Sequence, residues 1–566
     1  MTEFMDKLIS QILDFSERNP RTVKHVDTSK QLARLIEKFH KTTKTLQNSL
    51  QETIKKFVEE NTIILETAHQ PNFLPYSGLF KKTILLEHIA RALEKKGRSV
   101  VCLFSIVDTD FADDEWFASN RIPHLSKKGY LKLGIKIAKK NRKRCMYAIH
   151  KPSQENWKNI VQNISTHYYE CLKELKKELS KQNILDFEQI ESSFQQKWYE
   201  LLNIMEESYQ KADKFADMNA IFLSKVINDL MACSTIFYKY SDGLNAFENS
   251  FSRLVACNSD YVKLYNHYAD QNNIEKIQKE YAPFWFHCTT CDGKVPLKQK
   301  GIEFKGTCLS CKEAYVFDFE SQEYPNLSEI IQRISPRAIP RHYITFNELG
   351  VSFYAGGQAG SLYTSIAEKI ADTLHFRFPP IFTWFNKDYY TGILQFNSFL
   401  QIHRALKLDS YDQFLPKYSE LKTKTSQEVK ELQHQIELWE IEKNSLKQDL
   451  VESQNEESRS RIISELRAIT TSERKLKIQI QQAEHNISLL DNAIQSFRIF
   501  PSIIDYLLSI DALSLSEQWL HFLDNIEPPM TKPQLLQTNF SNLLRSKFSW
   551  LNNIENNMEK IMSLKI

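Results

Sequence analysis

Two Cys-x-x-Cys pairs, Cys288/Cys291 and Cys308/Cys311, stand 16 residues apart in a chain of 566 that otherwise scatters its cysteines singly. Zinc takes four soft ligands at tetrahedral corners, and two such pairs on facing hairpin tips supply them. Asp292-Gly293 between the pairs reads as a turn, and residues 301–304 and 314–317 read as short strands. The pattern is that of a zinc ribbon, expected over residues 281–322. A redox dithiol or two separate structural pairs are the alternatives. A Cys₄ shell has no open position for water or substrate, so the expected Zn²⁺ is structural and does not itself name a reaction. Cys102, Cys145, Cys171, Cys233 and Cys257 show no paired spacing. Free thiols beside a zinc site point to a reducing compartment, hence the cytoplasm.

The rest of the chain changes its hydrophobic period several times. Residues 1–60 read as N-terminal helices, with Leu32, Ile36, Phe39, Leu46, Leu50, Ile54 and Phe57 along one face of a long helix. Residues 61–67 (NTIILET) and 99–107 (SVVCLFSIV) are apolar runs of strand length. The helical stretch 79–96 lies between them, with Gly97 at its end. Strand, helix and strand make a right-handed parallel βαβ unit. It places the first part of an α/β core at 61–152. Residues 153–280 read as a helical insertion. The core resumes at 323–415, where residues 351–354 form a strand, a Gly-rich turn follows, and a helix covers 362–374. Pro379-Pro380 then precedes another apolar run, 381–385.

From 416 to 498 the pattern becomes heptad-like and charged, which predicts an antiparallel coiled-coil hairpin. One arm carries Val429, Leu432, Ile436, Trp439, Lys443, Leu446 and Leu450. The other carries Leu466, Ile469, Glu473, Leu476, Ile480, Ala483 and Ile487, continuing through Leu490 and Ile494 to Phe497. Opposed residues in an antiparallel pair keep a near-constant sum of position numbers. Leu450 with Leu466, Trp439 with Leu476 and Val429 with Ile487 sum to 915 or 916, and so do Lys443 and Glu473. Those two charges are expected to face each other in an otherwise apolar seam. Residues 499–566 read as a C-terminal helical segment, with Pro528-Pro529 and Pro533 marking a loop.

Composition limits the partners. Lysine plus arginine total 73 against 70 acidic residues, so a dedicated nucleic-acid binder is not expected. The most basic stretch, 127–144, reads as a solvated face or an anion-binding groove. No apolar run reaches membrane-spanning length, and residues 1–18 lack the apolar core of a signal peptide.

Ligands of open parallel sheets collect outside the carboxyl ends of the strands. Three polar clusters fall there. Thr67-Ala68-His69-Gln70-Pro71-Asn72 follows the first strand. His69 can serve as general acid/base or phosphate donor, Gln70 and Asn72 can orient a polar substrate, and the plainer reading of His69 is a packed, hydrogen-bonded residue. Asp108-Thr109-Asp110, with Asp113, Asp114 and Glu115, follows the second. Its carboxylates suit an ammonium group, ribose hydroxyls or Mg²⁺, or alternatively cap a helix through Asp110. Tyr354-Ala355-Gly356-Gly357-Gln358-Ala359-Gly360 lets backbone approach an anion at a helix N-terminus. Ser335-Pro336-Arg337 and Arg341 add cations.

These motifs together resemble those of the bacillithiol-biosynthesis cysteine-adding (BshC-like) enzymes. Thr67 to Pro71, continuing to Ser77-Gly78-Leu79-Phe80, is similar to their Gly-Gln-Gln-Pro…Gly-Pro-Leu-Tyr. Val107-Asp108-Thr109-Asp110-Phe111 resembles Glu-Asp-His-Asp-Phe, and Ser335-Pro336 to Arg341 resembles Ser-Pro-x₄-Arg. Tyr354 through Tyr363 looks like Tyr-Val-Gly-Gly-Pro-Gly-Glu-x-x-Tyr. The string His-Gln-Pro-Asn-Phe-Leu-Pro is also similar to the WbqC-like family, over that string alone. The cysteine-adding resemblance implies a Rossmann-like core related to class I aminoacyl-tRNA synthetases, with a coiled-coil arm that forms a homodimer. It also implies a ligase joining cysteine to an amine acceptor of the glucosaminyl-malate type, with ATP as the candidate activator. On this reading His69, Asp108 and Asp110 are catalytic. Gln70, Asn72, Ser335, Arg341, Gly356, Gly357, Gln358, Gly360 and Tyr363 bind substrate or nucleotide. The alternative is a non-catalytic scaffold whose ribbon and coiled coil hold a protein or RNA partner.

Overall fold

The computed structural model describes residues 3–126, 128–180, 187–319, 325–384, 388–390, 392–407, 414–524 and 534–536. Lys127, Phe385, Pro528, Pro529 and Pro533, named above, lie outside these, as do the side chains of Gln358 and Phe497. In chain order the strands are β1 (Thr62–His69), β2 (Ser99–Ile106), β3 (Ser119–Pro123), β4 (Tyr130–Gly134), β5 (Ile236–Lys239) and β6 (Tyr281–His287). They continue with β7 (Lys294–Lys300), β8 (Glu303–Thr307), β9 (Ala314–Asp318), β10 (Ile334–Pro336), β11 (Val351–Gly356), β12 (Ile381–Thr383), β13 (Asp388–Tyr390) and β14 (Gln534–Leu536).

Five of them form a parallel sheet in the order β12-β11-β1-β2-β5. The chain fills it outward from β1, first to one side through β2 and β5, then to the other through β11 and β12. The order therefore reverses between β1 and β11. Alternate residues of β1 face opposite layers, because side chains alternate along a strand. Ile63 and Leu65 pack with Leu85, Leu86 and Ile89 of the helix α4 described below. Ile64 packs on the other side with Leu32, Ile36 and Ile370. Both faces being covered explains why β1 and β2 read as continuous apolar runs.

Four helices frame the start of the core: α1 (Glu3–Arg18), α2 (Val23–Thr43), α3 (Asn48–Phe57) and α4 (Ser77–Glu94). The expected single long helix is thus two. Lys44 takes the left-handed conformation (φ 61°) and its N–H closes on His40 and Lys41 carbonyls. The buried His40 ring, bonded to Thr45 at 2.7 Å, fixes the break. The stretch 153–280 is also not purely helical. Helices Gln154–Ser180, Phe187–Lys211 and Phe215–Lys225 are followed by β5, which completes the parallel sheet beside β2. Four residues of strand carry too little periodicity to stand out beside long helices.

The ribbon belongs to a second, antiparallel sheet, β10-β6-β7-β8-β9. Helices Phe414–Glu452 and Glu456–Phe497 pack side by side as a long antiparallel hairpin. Ile436 and Ile480 are buried at the seam, and Lys443 Nζ lies 2.6 Å from Glu473 Oε2. Among the described residues, no helix is long and apolar enough to cross a membrane.

Candidate functional site

Because all five strands run parallel, the turns after β1, β2 and β11 leave one edge of the sheet. At that edge Gln70 Nε2 donates to Asp110 Oδ2 at 3.1 Å, and Arg341 Nη2 donates to Asp110 Oδ1 at 2.6 Å. Lys294 Nζ stands 3.9 Å from the same carboxylate. Burial alone would raise the Asp110 carboxyl. The Arg341 and Lys294 charges and the Gln70 amide overcome it and hold the group below its usual range. His69 adjoins this cluster, with Nδ1 on the Gln70 carbonyl at 3.1 Å and the Tyr76 hydroxyl 3.5 Å from Nε2. Burial, helped by Lys82, lowers its pKa to about 3. The imidazole is therefore neutral near pH 7.

Asp108 serves a different end. Its two oxygens accept from the Ser241 backbone N–H at 2.9 Å and from the Ser241 hydroxyl. It ties the turn after β2 to the chain leaving β5, and burial raises its pKa to about 6. Helix capping falls to Asp114, which accepts from Trp116 and Phe117 N–H groups, rather than to Asp110. Asp113 pairs with Lys143, and Glu115 with Arg121 and Lys132. These acids line a separate groove of about 480 Å³ with Lys136 and Arg142. The acidic turn is thus spent on local pairs.

Asn72 is 1% exposed, and neither atom of its amide has a partner among the described residues; the hydroxyl of buried Thr109 has none among them either. Buried polar atoms left this way call for a water, an ion or a ligand. Ser335 bonds His287 Nε2 at 2.8 Å, and His287 Nδ1 bonds the Tyr147 hydroxyl at 3.0 Å. Ser335 is therefore engaged inside the ribbon–core contact and is fully buried. At β11 the glycine turn is shorter than expected. The helix runs Gln358–Leu374 with Gly357 as its N-cap, so Gly360 lies in the first helical turn. A Cβ at Gly357 would meet nothing within 4 Å, which leaves that corner open. Tyr363 is 39% exposed and interacts with Tyr265.

The ribbon supplies what the sequence reading missed. Cys288 N–H donates to Gly293 O and Cys308 N–H to Glu313 O, while Asp292 and Lys312 take left-handed conformations in matching turns. A Cβ on Gly293 would meet Cys308 Sγ at 2.8 Å, so glycine is required there. Cys288 Sγ lies 3.4 Å from Cys311 Sγ and Cys291 Sγ 3.6 Å from Cys308 Sγ, and all four sulfurs fall within 4.8 Å. A tetrahedral metal with bonds of about 2.3 Å needs sulfurs about 3.8 Å apart, so the donor set could hold an ion. The same turn docks on the core through Cys145 N–H to Asp292 O and Lys294 N–H to Lys143 O, each 3.0 Å. It thereby aims Lys294, 2% exposed, at Asp110 and over the Phe111 ring. Arg337 stacks on Trp285 at 4.0 Å. Lys294 carries no sequence motif, whereas Arg337 is one of the cations the sequence offers beside Arg341. Glu66 did leave a signal, being a charge inside an apolar run. Its carboxyl accepts from Ser105, and burial raises its pKa to about 8.

No family model matches the chain, and no curated protein matches it in sequence.

Proposed function

We propose that the protein is a cytoplasmic ligase of the cysteine-adding type. It joins an amino acid to an amine acceptor at the carboxyl edge of a Rossmann-like sheet, with structural Zn²⁺ in the ribbon and a dimerising coiled-coil arm. The observation that carries this reading is the Gln70–Asp110–Arg341–Lys294 cluster, set at the edge where the β11 turn opens. Arg341, oriented by Asp110, and Arg337 recognise the carboxylate of a substrate. Amide formation replaces a carboxylate C–O bond by C–N, so the carboxylate oxygen is first activated: it attacks the α-phosphorus of ATP, forming an O–P bond as the P–O bond to the departing pyrophosphate breaks. The amine then attacks the acyl carbon. The phosphorylated oxygen leaves with its bonding pair as AMP, and the amine proton passes to solvent, because an imidazole with its pKa lowered to about 3 is too weak a base to take it. Asp110 positions Arg341 and is not itself a catalytic residue, and Asp108 has no part in the step. The metal holds the turn that aims Lys294.

Amino-acid-dependent exchange of labelled pyrophosphate into ATP, with calorimetric titration of each substrate, tests the proposal. Arg341→Met should abolish exchange while the protein stays folded. If folded wild-type protein binds neither ATP nor any amino acid, the ligase reading fails. The second reading, a scaffold without catalysis, is favoured by one observation: Asp108 and Asp110 are both satisfied by protein partners.

A further inference from the structure

Four lysines are buried among the described residues: Lys81, Lys82, Lys225 and Lys294. Taking an ammonium group out of water is costly unless a carboxylate accompanies it. Three of the four obey this. Lys81 pairs with Asp388 at 2.7 Å, Lys225 with Glu207 at 2.8 Å and Asp229 at 3.5 Å, and Lys294 with Asp110 at 3.9 Å. Lys82 is 5% exposed and has no carboxylate partner among the described residues. Its one hydrogen bond there goes to the Ala68 carbonyl at 3.0 Å. An ammonium group has three N–H donors, so two are left over.

The position of that carbonyl is informative. Ala68 lies at the carboxyl end of β1, one residue beyond the Thr67↔Ala355 pairing with β11. It is thus level with Gly356, where the strand order reverses and ligands of parallel sheets gather. The open corner at Gly357 and the N-terminus of the 17-residue helix Gln358–Leu374 follow directly. Helix N-termini favour anions.

We propose that Lys82 is the cationic floor of a phosphate-binding site in the crevice between β1 and β11. This deepens the activation step proposed above and rests on it only for the identity of the phosphate. Burial lowers the Lys82 pKa to about 7. The titratable group in electrostatic contact with it is His69 on β1, and the Lys81–Asp388 pair is its neighbour in sequence; the carboxylates of Glu87, five residues along α4, and of Glu66, which alternation puts on the other face of β1, have partners of their own. Glu87 is bonded to Thr235 and Glu66 to Ser105. An arriving phosphate would restore the ammonium form, so binding above neutral pH must draw a proton onto Lys82.

Calorimetry at pH 8.5 in buffers of different ionisation enthalpy reads that proton. The probes are inorganic phosphate, pyrophosphate, ATP and glucose 6-phosphate. At least one should bind with uptake approaching one proton per site, and the uptake should vanish at pH 6. Lys82→Met should keep the fold by circular dichroism, lose at least tenfold in affinity and lose the uptake. Lys82→Arg should bind without uptake. Preference for ATP identifies a nucleotide, and preference for the sugar phosphate identifies a phosphorylated acceptor. Equal affinity in Lys82→Met, uptake that persists in it, or no binding of any probe to the wild type would overturn the proposal. Amino-acid binding that survives in that last case leaves the ligase reading standing.

Discussion

Replacing Asp110 by Asn removes the one described carboxylate that pairs with both Arg341 and Lys294. Breaking a fully buried ion pair from one side costs about 3–5 kcal/mol, because it strands the other charge. Two features lower that figure here. The side chains of Asp110 and Arg341 keep 20% and 18% exposure, and the asparagine oxygen can still accept from Arg341. Lys294, at 2%, has no such relief. A loss of about 2–3 kcal/mol is therefore expected. Urea unfolding followed by tryptophan fluorescence reads it, since Trp285 lies under Arg337 and 5.5 Å from Lys294. The double change Asp110→Asn/Arg341→Gln should lose less than the sum of its parts, because it removes one stranded cation. A shift below about 0.5 kcal/mol, or strict additivity, would refute the reasoning. The pH dependence gives a second check. Asp110 is held below its ordinary value when folded, so its contribution is complete above the unfolded pKa of about 3.9. It disappears as pH falls through the lower folded pKa, and the variant should lack that acid-sensitive part.

Lys443→Leu in the hairpin should destabilise more than Lys443→Leu/Glu473→Leu, by only about 0.5–1 kcal/mol, since the arm is two helices thick and Lys477 still reaches Glu473. Thermal unfolding of the double-mutant cycle checks it, and additive effects would show that the pair does not act as a unit. Cys308→Ser should release the metal, about one zinc per chain by elemental analysis, and loosen the turn that aims Lys294 while the parallel sheet stays folded. Full metal content in a Cys288→Ser/Cys308→Ser protein would end the assignment. Glu66, whose folded pKa is raised to about 8, contributes stability that is complete below the unfolded value and lost as pH rises through about 8. Glu66→Gln should flatten that decline in unfolding midpoints measured between pH 5 and 9, and an unchanged slope would mean that Glu66 does not titrate there.

Much of the architecture was legible because it repeats. The runs that became β1 and β2 are apolar on both faces, and the heptads place Lys443 opposite Glu473 through spacing alone. The four thiols converge as their two pairs require. The glycine turn is shorter than its sequence suggests, because Gly360 resembles a loop residue although the helix has already begun at Gln358. At the candidate site, Gln70, Asp110 and Arg341 meet at the sheet edge to which the motifs assign them, but the motifs do not give the contacts of each residue. Asp108 and Asp110 are alike in sequence, yet one is locked by Ser241 and the other gathers Arg341 and Lys294.

By itself, then, the sequence determined where β1, β2, β11 and the two hairpin helices form, the clustering of the ribbon's four thiols and the pairing of Lys443 with Glu473. These depend on periodicities and spacings of a few residues, which local sterics and burial translate directly into structure. Only the tertiary structure decided which charges are paired at the candidate site. The partner of Asp110 lies 231 positions away, and the carbonyl that meets Lys82 belongs to a neighbouring strand whose level is set by pairing with β11. No short-range rule encodes such distances, because they follow from how independently specified elements close around a common core.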